Sequence, residues 1–413
     1  MPSADPFDTD PAAFDTDPAV FDTGLLSPAT AGRDDAVGDP AVRLAIIEVE
    51  VAYLRVLENL GFAPAGSAQT AAAAPVHSAD LARRSTLGGN PVIPLVADLR
   101  AGLPADVAEW VHRGATSQDI LDTALMLTAR RARTRVLESL DATARALARL
   151  ADEHRHTTVA ARTLTQHSTP TTWGLRFATW LAAVLDARDA LAATALPAQL
   201  GGASGTLAAL VELVGAPTAA RLPGLLAAEL ALDDSRPWHT SRSPVTRLGG
   251  ALTEVTDALG VVAADVATMS RTEIGELAEP GAAGRGASSA MPQKRNPVLS
   301  VLIRSTALRA PGLLATLHVC AATAVDERPD GAWHAEWPTL RELLRLALGA
   351  SALAAELAEG LTVDVGRATA NLAITGDDIL AERVALSGTA GDPADYTGLS
   401  QAIIDDTLRR ISP

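Results

Sequence analysis

Apolar positions recur at helical spacing through most of the chain after Gln118, and polar or helix-breaking residues gather mainly between the runs. The pattern predicts five helices of roughly 20 to 30 residues, longer than is usual in globular proteins. They cover residues 122–154, 171–194, 245–274, 297–325 and 336–357. Several runs are apolar on more than one face, which predicts burial both within the subunit and against another one.

The ends of the chain differ from this central region. Residues 42–60 predict a helix closed by Gly61, and residues 91–96 are too short and too proline-bound to assign as a strand. Residues 5–23 repeat an acidic Phe-Asp-Thr unit that is short of aliphatic residues, which predicts a disordered tail. The predicted domains are a tail (1–24), an N-terminal helical domain (25–111), a central bundle (112–360) and a short C-terminal helical domain (361–413).

Composition favours an all-α protein. The 413 residues are 48% hydrophobic but only 3% aromatic, so Ala, Leu and Val dominate the core, and small side chains let helix axes approach. The net charge of −15 argues against a nucleic-acid partner, because no basic stripe is present to neutralise phosphates. An anionic substrate therefore requires a local positive pocket.

Three features bear on the cellular compartment. Cys320 is the only cysteine, which excludes an intramolecular disulfide and fits a reducing cytoplasm. The N-terminus has no basic start followed by an apolar stretch, so no signal peptide is expected. The most apolar long run, 298–325, contains Arg304, Arg309 and Pro311, which favours a helix buried in a bundle over a membrane span.

The single lysine, Lys294, lies in a glycine- and hydroxyl-rich loop that leads into an apolar run. Ser288, Ser289 and Asn296 share this loop, so these two hydroxyls, the lysine ammonium and this amide lie within nine residues. A serine acts as a base only when a cation and backbone N–H donors stabilise its alkoxide. The compact ammonium of lysine can approach such an anion as a point charge, whereas arginine is a planar fork.

Residues 287–296, Ala-Ser-Ser-Ala-Met-Pro-Gln-Lys-Arg-Asn, resemble the fumarase/aspartase superfamily signature Gly-Ser-Ser-x-Met-Pro-x-Lys-x-Asn, with one departure at the first position. The resemblance implies that Ser288 is the catalytic base and that Met291, Lys294 and Asn296 bind substrate. It also implies a central bundle of long helices and a homotetramer in which three subunits build each active site. No cofactor and no metal are expected.

A second candidate region contains Thr116 and Ser117, which precede Asp119 and a helical run. Their hydroxyls and the N–H groups of the next turn can receive a carboxylate, although an ordinary helix N-cap explains the same composition. The superfamily has a similar Gly-x-Thr-Ser-x-Asp stretch that binds substrate carboxylate, which favours the binding role. His112 and Arg113 are expected in the same neighbourhood.

A third candidate region contains His167, which lies between Gln166 and a serine; these polar neighbours favour a site histidine over a core one. Fumarases and adenylosuccinate lyases typically have Arg-Thr-His here, and Leu164 stands at the position of that histidine. A leucine followed three residues later by histidine resembles the 3-carboxy-cis,cis-muconate cycloisomerase branch, which makes His167 the acid or binding group. Val301 stands where fumarases usually carry glutamate, and it favours the same branch.

Shorter stretches add candidates. A Trp-His-Thr-Ser-Arg stretch ending at Arg242 resembles a segment of that branch and makes Arg242 a candidate substrate contact, although a serine replaces the aspartate expected next. His334 and Glu336 are candidate polar site residues, but the tryptophans around them fit packing anchors better. Asn90 is a turn residue by sequence and a substrate contact by resemblance.

These residues together predict one kind of chemistry. Removing a proton next to a carboxylate creates a dianionic aci-carboxylate, which requires donors already in position. Collapse then expels a group from the neighbouring carbon, or addition runs in reverse. The resemblance favours an enzyme closest to 3-carboxy-cis,cis-muconate cycloisomerase, acting on a di- or tricarboxylate. A lyase that releases fumarate from a substituted succinate, of nitrosuccinate or less readily adenylosuccinate type, is the alternative. An inactive structural homologue is the third possibility.

Overall fold

The computed structural model describes residues 24–74, 76, 80–282, 284–286, 291 and 294–411, and most of these are helical. The helices are α1 Asp39–Asn59, α2 Ser67–Ala72, α3 Leu81–Gly88, α4 Val92–Ala101, α5 Ala105–Ala108, α6 Ser117–Glu153, α7 Trp173–Ala193, α8 Ala208–Val214, α9 Ala216–Ala219, α10 Leu222–Glu229, α11 Ser243–Met269, α12 Val298–Ala322, α13 Gly331–Gly360, α14 Val365–Ile374, α15 Ala381–Ser387 and α16 Ser400–Arg409. The strands are β1 Thr158–Thr163, β2 Gln166–Thr172, β3 Leu277–Ala278 and β4 Thr362–Val363, paired as two antiparallel ribbons, β1–β2 and β3–β4.

The all-α class and the five predicted long helices are confirmed by α6, α7, α11, α12 and α13. The predicted start of α6 was five residues late, because Thr116 and Asp119 form a capping box that begins the helix at Ser117. The proline-bound run at 91–96 forms the start of helix α4, since proline is tolerated in a first turn, where its missing N–H has no partner to lose. The predicted tail at 1–23 lies outside the described residues.

Small residues bring the bundle helices close together. A Cβ added at Gly249 of α11 would lie 2.6 Å from Leu317 of α12, and one added at Gly260 would lie 2.6 Å from Ala307. No side chain fits at that distance, so these two glycines let α11 and α12 pack at short range. This close approach agrees with the prediction, made from the low aromatic content, that small side chains let the helix axes approach.

Helices α6 and α13 run side by side in the same direction. Nε1 of Trp333, near the start of α13, donates to Oδ1 of Asp122 near the start of α6, at 2.9 Å. At the other end, Nη2 of Arg149 donates to the carbonyl of Glu359 at 3.2 Å. Since α6 has 37 residues, the two ends of the bundle are separated by about 55 Å.

The hairpin β1–β2, which follows α6, was missed by the sequence analysis. Its two-residue turn consists of Leu164 (φ +49°) and Thr165 (φ +72°), between the paired residues Thr163 and Gln166. Positive φ at both turn positions fits the tight hairpin turns that usually carry Asn or Gly. Because neither residue type is present, the sequence contained no turn signal.

One side of α12 is uncovered in the single chain. Ile303, Ala310 and Leu317 are buried against the bundle, whereas Leu308 is 81% exposed and Val319 is 63% exposed. The prediction of a helix buried in the bundle therefore holds for its inner face only. Within the described residues, α12 is the one helix long and apolar enough to cross a membrane by length and composition, which for a single helix is weak evidence.

Candidate active site

The start of α6 is held by a buried carboxylate. Oδ2 of Asp119 accepts from the backbone N–H groups of Thr116 and Gly202, both at 3.0 Å, and Oδ1 accepts from that of Gly201 at 2.8 Å. Nε2 of His239 lies 2.8 Å from the same Oδ1. Asp119 thus fixes three chain segments around the first turn of α6. The N-cap interpretation of Thr116 is confirmed, and carboxylate binding there stays a prediction.

Ser117 is the first residue of α6 and is partly exposed. His112, shortly before it, has a positive φ of 58° and places Nδ1 2.6 Å from Oε1 of Glu50. Burial alone would lower the pKa of His112, but the hydrogen bond and charge of Glu50 outweigh it, and the pKa lies above its ordinary value. Sequence reasoning missed Glu50, because a glutamate within an apolar helix carries no motif.

Arg113 does not share the surroundings of His112. Its guanidinium stacks 4.5 Å from the ring centroid of Trp110, and Nη1 donates to Oε2 of Glu109 at 3.0 Å. Its carbonyl accepts a 2.6 Å hydrogen bond from the hydroxyl of Tyr53. The Arg113 backbone is therefore bound to α1, whereas its side chain interacts at the surface with Trp110 and Glu109.

Asn90 is engaged in the turn before α4. Its Oδ1 accepts from the backbone N–H of Val92 at 3.1 Å and of Ile93 at 3.4 Å. Nε2 of His334 lies 2.9 Å from the carbonyl of the adjacent Gly89, which ties the turn to the start of α13. The turn-residue interpretation is supported by these contacts, and a substrate contact through Oδ1 is not.

Arg242 lies in a buried ion network. Its guanidinium donates to both oxygens of Asp122, at 2.7 and 3.1 Å, and to Oε2 of Glu336 at 2.6 Å, while the remaining N–H groups reach Glu336 and backbone carbonyls. The side chains of all three residues are at most 3% exposed. The expectation that Arg242 contacts substrate is therefore not supported, because its donors are already used.

The hairpin that carries His167 lies at the opposite end of the bundle. Nδ1 of His167 lies 2.7 Å from the hydroxyl of Thr375, and its partner across the hairpin is Arg162. Arg162 donates to Oε1 of Glu276, which also accepts from Nδ2 of Asn371 at 2.9 Å. Burial and the charge of Arg162 hold the pKa of His167 below its ordinary value.

A neutral ring at pH 7 suits binding or proton acceptance by His167 better than proton donation. The neighbouring Gln166 is exposed, and its Nε2 lies 3.4 Å from the hydroxyl of Thr165. Glu276, Asn371 and Thr375 were missed by the sequence analysis, because they come from separate segments and match no motif.

The lysine-bearing loop leaves the bundle at this same end. The carbonyl of Gly286 accepts from both the backbone N–H of Asn296, at 3.0 Å, and its Nδ2, at 3.2 Å. Gly286 has a φ of +66°, and a Cβ there would lie 2.6 Å from the carbonyl oxygen of Asn296, so a glycine is required. Lys294 and Met291 are exposed, and the backbone N–H of Lys294 donates to the carbonyl of Met291 at 3.0 Å. Ser288 lies outside the described residues.

The candidate residues thus form two groups at opposite ends of the bundle. Thr116, Ser117 and His112 lie at the start of α6, whereas His167 and Asn296 lie beyond its end. One group offers a helix N-terminus and an imidazole, and the other offers a cation, an amide and a second imidazole. Within a single chain they are about 55 Å apart.

The long-helix bundle has Lys294 and Asn296 at one end and a Thr-Ser helix start at the other. Together with the sequence Ser-Ser-x-Met-Pro-x-Lys-x-Asn, this defines an enzyme of the fumarase/aspartase superfamily. A family model described as "Lyase" matches residues 86–312. The chain belongs to this family of lyases.

Similar proteins include enzymes of two kinds. Nitrosuccinate lyase from Streptomyces davaonensis is 50% identical over 381 residues, covering 88% of this chain and 79% of that protein. The 3-carboxy-cis,cis-muconate cycloisomerase from Bradyrhizobium diazoefficiens is 40% identical over 373 residues, covering 87% and 81%. The crystal structure of 3-carboxy-cis,cis-muconate lactonizing enzyme from Pseudomonas putida superposes with a TM-score of 0.84 at 30% identity, covering 94% of this chain and 99% of that one.

Proposed function

We propose that the protein catalyses a cofactor-free elimination or addition β to a carboxylate. Ser288 removes the proton beside one carboxylate, and Lys294, Asn296 and the N–H groups of the loop stabilise the resulting aci-carboxylate. Collapse of that anion breaks the bond to a leaving group on the neighbouring carbon, and the electron pair departs with that group. The observation that carries the proposal is the nearly complete signature at 287–296 on a bundle of the matching fold.

We infer that the substrate is a substituted succinate of the nitrosuccinate type. The sequence analysis placed the cycloisomerase first; 50% identity to a nitrosuccinate lyase, against 40% to a cycloisomerase, supports the opposite order. In this reaction the C–N bond breaks, the electron pair leaves with nitrite, and fumarate remains. Lactone closure by a carboxymuconate is the second candidate, supported by the fold match and by the Leu164 and His167 pattern.

We propose further that the active site is shared between subunits of a homotetramer. The roughly 55 Å between the two groups of site residues means that no single chain assembles them. The uncovered apolar face of α12 supports assembly, because a surface with residues such as Leu308 and Val319 is best buried against another copy. If neighbouring copies pack with their helices antiparallel, the start of α6 in one copy lies beside the Lys294 end of the next copy.

A panel assay tests the proposal. The enzyme is supplied separately with nitrosuccinate, 3-carboxy-cis,cis-muconate and adenylosuccinate, and nitrite, fumarate and the ultraviolet absorbance of the muconate are followed. Equal amounts of nitrite and fumarate from nitrosuccinate support the proposed lyase. Loss of muconate absorbance without fumarate assigns the cycloisomerase instead, and turnover of none of the three substrates contradicts both.

A further inference from the structure

A buried carboxylate from a distant part of the chain holds the ring of His112. Oε1 of Glu50, in the middle of α1, lies 2.6 Å from Nδ1 of His112, across 62 residues of sequence. The Glu50 side chain is fully buried, whereas that of His112 is 18% exposed. Within the described chain, Nε2 of His112 has no hydrogen-bond partner. Nδ1 of the ring is therefore held by Glu50, and Nε2 is left to bind a ligand.

The backbone of this segment has an uncommon conformation that a hydrogen bond holds in place. His112 has a φ of +58°, a conformation that few non-glycine residues adopt, although histidine adopts it more often than most. The hydroxyl of Tyr53, one turn along α1 from Glu50, donates to the carbonyl of Arg113 at 2.6 Å. Burial, with the nearby charges of Glu50 and Asp119, raises the pKa of Tyr53, so it remains a neutral donor. Helix α1 thus holds both the side chain and the backbone of the His112 segment.

Charge balance explains why the pair is built this way. Among the described residues, Oε2 of Glu50 is buried without a hydrogen-bond partner. A buried carboxylate that is only partly satisfied requires a counter-charge, and the imidazolium of His112 is the group in contact with it. The reciprocal effect favours the charged form of the ring near the first turn of α6, where backbone N–H groups already favour an anion.

We propose that Glu50 is a positioning residue: it orients the His112 imidazolium so that Nε2–H donates to the second carboxylate of the substrate at the start of α6. This inference rests on the proposed function and deepens it, because it names the group that recognises the carboxylate not bound by the lysine-bearing loop. Ser117 and the N-terminal turn of α6 complete the same anion site. Glu50 itself touches no substrate.

Three charged groups on three elements act on the ring and, with burial, set the sign of its pH dependence. Glu50 acts on it from α1, Arg100 from α4 and Asp119 from α6, while Tyr53 of α1 donates to the neighbouring carbonyl of Arg113. The charges of Glu50 and Asp119 favour the imidazolium, and that of Arg100 opposes it. Because the pKa of His112 is raised overall, carboxylate binding is complete at low pH and is lost as pH rises through that raised value.

The test compares Glu50→Gln with the wild type and with Glu48→Gln, a control on the same helix whose carboxylate pairs with Arg131 instead. Fumarate binding is measured by calorimetry, and kcat and KM are measured on whichever panel substrate is turned over. Glu50→Gln should bind about tenfold more weakly near pH 7.5 and approach the wild type near pH 5.5, with KM moving rather than kcat. Glu48→Gln should match the wild type at both values.

Titration of 13C-labelled histidines in the assembled protein supplies a readout that does not depend on turnover. The signal lost in His112→Asn should titrate above the ordinary histidine value in the wild type and lower in Glu50→Gln. A wild-type His112 that titrates at or below that value overturns the inference, even if Glu50→Gln fails to fold. A Glu50→Gln defect of equal size at every pH overturns it as well, because it shows a structural role only. If no panel substrate is turned over but His112 shows the raised titration and its decrease in Glu50→Gln, the proposed function is contradicted and the Glu50–His112 pair is still supported.

Discussion

Oε1 of Glu279 accepts a hydrogen bond of 2.7 Å from the backbone N–H of Ser300, which lies 21 residues further along the chain. Oε2 of the same carboxylate accepts from Leu299 at 3.0 Å. Glu279 therefore caps the first turn of α12 and closes the lysine-bearing loop at its base. An acidic group is well placed there, because the first N–H groups of a helix lack intrahelical partners and carry partial positive charge.

Glu279→Ala should lower both stability and turnover. Loss of a helix cap costs about 0.5 to 2 kcal/mol, and the loop would no longer start and end at fixed points. Thermal unfolding and kcat are compared with Glu273→Ala, which removes an exposed glutamate from the same segment. A Glu279→Ala enzyme with unchanged kcat would show that the base of the loop does not position the catalytic groups.

The fold could be predicted from the sequence to a greater extent than the site. Long apolar periodicity predicted α6, α7, α11, α12 and α13, because a long run rich in Ala and Leu favours helix locally. The hairpin at Leu164 and Thr165 was missed, since its turn adopts positive φ without glycine or asparagine. The ion pair between Arg162, just before the turn, and Glu276 joins the hairpin to a distant segment, and such a pairing carries no local sequence signal.

Site residues with a contiguous motif were found, and those without one were not. Lys294 and Thr116 lie in recognisable strings of residues, whereas Glu50 and Glu276 act across 62 and 114 residues of sequence. Arg242 was taken for a substrate contact because a motif carries the residue type but not the direction of its side chain. Its partners, Asp122 and Glu336, could be paired with it only by the packing of three helices.

Arg242→Met should destabilise the protein severely. Removing the guanidinium leaves the buried carboxylates of Asp122 and Glu336 unpaired, which typically costs about 3 to 5 kcal/mol. Arg309→Met is the matched control, since Arg309 pairs with Glu342 at the surface and should contribute about 1 kcal/mol or less. Thermal midpoints are measured at one protein concentration, because assembly contributes to them. Similar midpoints for the two variants would contradict a structural role for the network.

Ser288→Ala should leave the fold and the oligomer intact and remove nearly all turnover. General base catalysis is typically worth about 10² to 10⁴ in rate, and no other group of the signature is assigned to accept the proton. Steady-state rates are compared with Ser289→Ala, which removes the neighbouring hydroxyl. If Ser289→Ala is the more damaging change, the base has been assigned to the wrong serine.

Lys294→Arg should also fail, although it conserves the charge. The guanidinium is larger and planar, so it displaces the carboxylate that a compact ammonium approaches directly. The expected loss lies in kcat, because the aci-carboxylate needs this contact more than the ground state does. A nearly unchanged rate would mean that the single lysine of the chain has no special role.

Mixing two inactive variants tests whether the two ends of the bundle meet between subunits. Ser117→Glu places a carboxylate where the substrate carboxylate is expected, and helix α6 should survive because an acidic residue is favourable in its first turn. Ser288→Ala removes the base at the other end. Each variant alone should be inactive.

In randomly mixed oligomers, a site that takes one end from each of two chains is intact in about a quarter of cases, so about a quarter of wild-type activity should return. Mass spectrometry of the mixture establishes subunit exchange. A mixture that exchanges fully and stays inactive would place both ends of each site in one chain, against the roughly 55 Å length of α6.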